Sequence, residues 1–158
     1  MSCGVALAVS LLLSDPNIAM AAALPPPAAD APVSVAGEPL FSDIIMRAGA
    51  LRSVVRQWSA NLESTPDWYM GPTELERFTV ETTNLAALDM QGHLILKERG
   101  TDGDLKCILR GISEDLPLKV AAVAAAATPA ERRVALEELH YLLNDNVEVI
   151  TAPPQPPV

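Results

Sequence analysis

Phe41, Ile44, Ala48, Leu51, Val55, Trp58 and Leu62 follow one another at alternating steps of three and four. On a helix of 3.6 residues per turn these steps draw one unbroken apolar seam, and a seam of that length must be covered by other helices. Three further segments of similar length repeat the pattern, which restricts the chain to an all-α architecture. Leu75, Phe78, Thr82, Leu85, Asp89, Gly92 and Leu96 keep the same register, with Thr82, Asp89 and Gly92 as its flaws. Leu105, Ile108, Leu109, Ile112, Leu116, Val120 and Val123 mark a third stripe, which Pro117 should kink by freeing the Ser113 carbonyl. Leu136, Leu139, Leu143, Val147 and Ile150 form the fourth.

The segments are separated by residues that start and stop helices. Thr128, Pro129 and Glu131 supply an N-cap, a proline suited to the first helical position and the acid that closes a capping box. Thr73 with Glu76 predicts a second such box, after the break "STPDWYMGP" at 64–72. The turn "RGTDGD" at 99–104 separates the second and third segments. A competing reading pairs "HLILKE" with "LKCILRG" as a β-hairpin across residues 93–110. The spacing 105, 108, 109, 112, 116 fits a helix over a longer window, so helix is expected there. Short connections make consecutive helices antiparallel neighbours. The expected fold is an antiparallel, up-down-up-down four-helix bundle over 41–150, flanked by disordered Pro/Ala-rich N- and C-terminal tails at 24–40 and 151–158.

The first 23 residues read as an address. Val5 to Leu13 is a short apolar core, Pro16 a breaker, and Ala19-Met20-Ala21 and Ala21-Ala22-Ala23 are small-x-small sites, so a secretory signal cleaved after Ala21 or Ala23 is expected. The n-region "MSCG" contributes no Lys or Arg. The run is interrupted too early to span a bilayer, which takes about 20 apolar residues, so no stable membrane insertion is expected after cleavage. The expected location is periplasmic or secreted. If the leader is retained, the alternative is a cytosolic interaction protein.

Charge narrows the partners. A chain with 20 acidic and 11 basic residues and a net charge of −9 has no bulk attraction for nucleic acid, which is bound by neutralising phosphates. Once the leader and its Cys3 are removed, Cys107 has no second cysteine in its own chain, and it is either a small buried hydrophobe or a link between two chains. A homodimer through helix faces or Cys107 is therefore an expectation, beside an unidentified protein partner or small ligand.

Few residues suggest chemistry, and no catalytic arrangement is evident. One Glu-x-x-His pair, Glu137 and His140, has no counterpart, because Met90 precedes His93 at the matching position. A di-metal centre in a bundle needs two such pairs. Met46 and His140 are the two residues that could ligate a b-type haem. These four are weak candidates, and no metal or cofactor is expected; the alternative function is a haem- or metal-binding bundle. Asp89 occupies a seam position, where a carboxylate must be paired or protonated, and Arg52, Arg56 and Arg110 are its candidate partners. Arg52 and Arg56, one turn apart, form with Arg47 a basic stretch on an acidic chain. Trp68, Tyr69 and Met70 join large apolar area to polar tips, as residues at protein interfaces do, or else seal the bundle end. The function expected from these features is that of an exported binding or accessory module.

Overall fold

The computed structural model describes residues 34–100 and 103–152. The expected leader with its two expected cleavage sites, residues 24–33 of the expected N-terminal tail and residues 153–158 of the expected C-terminal tail lie outside the described residues. Four helices make up the fold: α1 (Pro39–Ser64), α2 (Pro72–Glu98), α3 (Leu105–Ala125) and α4 (Pro129–Thr151). Among the described residues there is no strand, so 93–98 and 105–110 are helical on either side of the turn. The 3.6-residue spacing wins there because it buries Leu96, Leu109 and Ile112 together.

Each helix packs against two others, α1 on α2, α2 on α3, α3 on α4 and α4 on α1, with α1/α3 and α2/α4 on the diagonals. Contacts at the helix ends give the direction. Glu38, just before α1, grips Arg99, just after α2, through two bonds of 2.7 and 2.8 Å. At the opposite end Trp58 of α1 stacks on Phe78 of α2, and Arg132 of α4 reaches the carbonyl that follows α1 at Trp68. Consecutive helices therefore run antiparallel.

The seam of α1 is buried at all seven of its positions. Trp58, Phe41, Ile44, Leu85, Leu109, Leu116, Leu136 and Leu143 are among the largest fully buried side chains, each worth about 1.5–3 kcal/mol relative to exposure. The flaws of α2 are buried too. Thr82 satisfies its hydroxyl within its own helix by donating to the carbonyls of Phe78 and Thr79. Gly92 marks a three-helix approach, since a Cβ there would sit 3.1 Å from Leu109 Cδ1 and 3.2 Å from Phe41 Cε1.

Two local expectations need correction. Helix α2 begins at Pro72 with Gly71 as an N-cap that has no side-chain bond. Thr73 and Glu76 thus fall at the second and fifth helical positions and form no capping box; Pro72, whose φ is already helical, starts the helix two residues before the Glu74 that a Thr73 cap implies. The Thr128 box on α4 does form, with Glu131 N–H donating to Thr128 Oγ1 and Glu131 Oε2 accepting from the amides of Thr128 and Ala127. Helix α3 runs on past Pro117 to Ala125. The packed chain also starts before residue 41, because Val35, Ala36 and Leu40 lie against the core.

Candidate binding site

Helices α1 and α2 leave a groove of about 570 Å³ between them, lined by Leu51, Val54 and Trp58 of α1 and by Glu74, Glu76, Arg77, Phe78, Val80 and Glu81 of α2. The same periodicities build both walls, at steps of three and four. Trp58 and Phe78 form the aromatic floor, with ring centroids 4.7 Å apart and planes tilted by 48°. The indole N–H of Trp58 donates to Glu74 Oε1 at 2.7 Å, which holds the ring in place and satisfies a donor that burial would otherwise strand. Three carboxylates against the single Arg77 make the rim acidic, and Arg47 touches Glu81 at 3.6 Å from one end. None of the groove residues is among the sequence-derived contact candidates. The available signal was the clustering of Glu74, Glu76 and Glu81 on the helix that follows the Trp58 end of the seam.

The aromatic loop between α1 and α2 divides by residue. Met70 is fully buried and belongs to the core, so it offers no contact surface. Trp68 is half-buried against the core. Tyr69 remains 45% exposed, and the guanidinium of Arg132 lies 4.7 Å from its ring centroid. Arg132, itself buried, also donates to the carbonyls of Trp68 at 2.9 Å and Ala126 at 3.4 Å. It ties the loop to the end of α3, where helix carbonyls lack intrahelical partners. The sealing role therefore accounts for Met70 and most of Trp68.

Arg52 and Arg56 face α4. Arg52 Nη1 donates to Asn144 Oδ1 at 2.6 Å, and both guanidinium groups act on His140. Burial first, then Arg52 and Arg56, push the His140 imidazole below its ordinary pKa. Two fixed cations beside this ring oppose a metal cation there. Glu137 is exposed. Met46 is 65% exposed and lies ten positions along α1 from Arg56, about 15 Å of helix, so it does not face His140 across the bundle. His93 is buried, and its Nδ1–H donates to the carbonyl of Lys106, fastening α2 to the start of α3. Among the described residues no group of three or more His, Cys, Asp or Glu is arranged to hold a metal ion. Cys107 is half-buried and is not a free thiol.

Asp89 is fully buried, but none of the three arginines is its partner. Its Oδ2 accepts from Asn146 Nδ2 at 2.9 Å, across the diagonal from α2 to α4. Each of the two stands seventeen residues beyond the first residue of its helix, which puts them level in parallel helices. The arginines lie on surface faces, and a guanidinium brought to the centre would have to shed its water. Burial drives the Asp89 carboxyl up to about 8, with the Asn146 bond opposing. Asp89 Oδ1 and Asn146 Oδ1 are the two buried oxygens of this pair with no partner. A neutral carboxyl has one O–H to give and the Asn146 carbonyl one lone pair to take it, so one proton satisfies both.

No family model, no curated protein and no solved structure matches this chain.

Proposed function

We propose that this protein is an exported binding module whose groove between α1 and α2 receives a segment of a partner protein carrying Lys or Arg beside an apolar side chain. The observation that carries the reading is the pairing of an aromatic floor, Trp58 and Phe78, with a rim of Glu74, Glu76 and Glu81. An apolar floor takes a buried side chain, and an acidic rim selects a neighbouring cation and repels an acidic competitor. The chain's own ends do not meet that requirement, because residues 1–46 and 134–158 contain no Lys or Arg. Recognition is favoured over catalysis because the polar groups at the groove are carboxylates and one arginine, with no nucleophile and base in contact. The proposed location is the periplasm or the exterior, supported by the leader-like residues 1–23.

Titration with an amphipathic Leu/Lys peptide tests the groove, with a Leu/Glu peptide of the same length as control. In a Trp68→Phe background Trp58 is the reporting indole. The Lys peptide should shift its emission saturably, and Glu76→Lys should weaken binding several-fold at low salt. Equal binding of both peptides, or indifference to Glu76→Lys, would overturn the groove. Export is read separately from the intact mass of the protein made in its own cell, where the mature chain should begin at Ala22 or Leu24. Recovery of Met1 would place it in the cytosol.

A further inference from the structure

Four basic side chains of this acidic protein, Arg47, Arg99, Arg110 and Lys119, sit in ion pairs. Among the described residues Arg52 and Arg56 do not. They are adjacent on α1 at a spacing of i and i+4, and on the facing helix His140 and Asn144 repeat that spacing, so the four form a patch of two facing rows. A guanidinium has five N–H donors. Arg52 spends one on the neutral oxygen of Asn144, while the exposed Arg56 has neither a hydrogen bond nor an ion pair among the described residues. Among the described residues Glu137, three positions before His140, and Asp145, next to Asn144, are in ion pairs with neither arginine, and Glu138 pairs with Lys119.

The patch is held rather than loose, because the bond of 2.6 Å between Arg52 and Asn144 fixes one guanidinium against α4. That bond uses the amide oxygen and leaves the positive charge unneutralised. Guanidinium forks match the paired oxygens of carboxylate and phosphate, and an imidazole beside them adds a third donor group. The same two cations that oppose a metal at His140 favour a negative group there.

We propose that the face shared by α1 and α4 binds an oxyanion, a carboxylate or phosphate group, between Arg52, Arg56 and His140. This site lies apart from the groove between α1 and α2 and does not depend on it. When the anion arrives it offsets the repulsion that the arginines exert on the imidazolium, so His140 becomes easier to protonate. Its ring is therefore the reporter.

Nuclear magnetic resonance titration of the two histidines in the full chain tests the site. Inorganic phosphate or succinate, each compared with sodium chloride at equal ionic strength, should raise the His140 pKa by about half a unit or more. At fixed pH the ring signals of His93, bonded to the Lys106 carbonyl at another part of the bundle, should not move when the anion is added, which is the internal control. A response to phosphate alone or to succinate alone supports the site and names its oxyanion. Arg56→Gln, at an exposed position that takes no part in the fold, should raise the His140 pKa without added anion and remove the response. Arg52→Gln should do the same unless loss of the Asn144 bond loosens the helix pair, for which Arg56→Gln is the control. No response beyond that of chloride, or a full response retained in Arg56→Gln, overturns the proposal.

Discussion

Asp89 and Arg132 are both charged residues by type and both buried, at the centre and at one end of the same bundle, and they are accommodated by opposite means. Asp89 has no charged partner; its environment raises its pKa to about 8, so near neutral pH it sheds its charge by holding a proton. Arginine has no such escape, because its guanidinium stays protonated in proteins. Arg132 is found where peptide carbonyls are left over, at the loop before α2 and the last turn of α3, and it covers the Tyr69 ring. Its Nε still has no partner. An ionisable acid can be placed in the middle of a bundle if an amide meets it, whereas a permanent cation must be placed where helices end.

The largest effect expected from this contrast is a stability that falls as pH rises. Asp89 holds its proton more tightly folded, at about 8, than at the ordinary value of 3.8. Its contribution is therefore complete below about pH 4, declines between pH 4 and 8, and is flat above. Four pKa units correspond to roughly 5 kcal/mol at most, and internal relaxation reduces this. Asp89→Asn keeps the shape of the neutral acid and a donor for Asn146 Oδ1, so it should remove that slope, nearly matching the parent at pH 4 and exceeding it in stability at pH 9. Urea unfolding at pH 4, 6, 8 and 9 reads this directly. An identical pH slope in Asp89→Asn would show that Asp89 is ionised in the fold and erase the contrast.

A smaller effect is expected at Arg132, with the opposite signature. Arg132→Met should cost about 2–4 kcal/mol, by stranding the Trp68 and Ala126 carbonyls and releasing the Tyr69 ring. Arg132→Lys should cost less, because it keeps the charge but loses the fork. Both losses should be constant from pH 5 to 9, since no proton is exchanged. Thermal unfolding together with Trp68 fluorescence measures them, and a loss that varied with pH would show that the cation is balanced by a titrating carboxylate.

The fold was legible because burial repeats along the chain at a local period. All seven positions of the α1 seam are buried, and so are Thr82, Asp89 and Gly92, which looked like flaws in α2. The Thr128 box was legible because a capping box is closed within four residues. Thr73 and Glu76 had the same letters and formed none, since a proline one position earlier competed for the helix start. The candidate sites were legible only in part. Arg52 and Arg56 stand out as adjacent cations, but their company, His140 and Asn144, lies more than eighty positions away. Asp89 was recognisable as a buried acid, yet Asn146 reads as an ordinary polar residue near the end of α4. Arg132 had no local mark, and the groove around Trp58 and Phe78 showed only the cluster of Glu74, Glu76 and Glu81 on α2.

The amino-acid sequence alone determined that this chain makes four amphipathic helices, where they break and that an acid would be driven into the core, because those outcomes depend on neighbours three, four or seven residues away. Which side chain meets that acid, which carbonyls hold the buried arginine and where a groove stays open were decided by tertiary structure. They depend on which rows of different helices come level across the bundle, and that is set by the packing of all four seams at once.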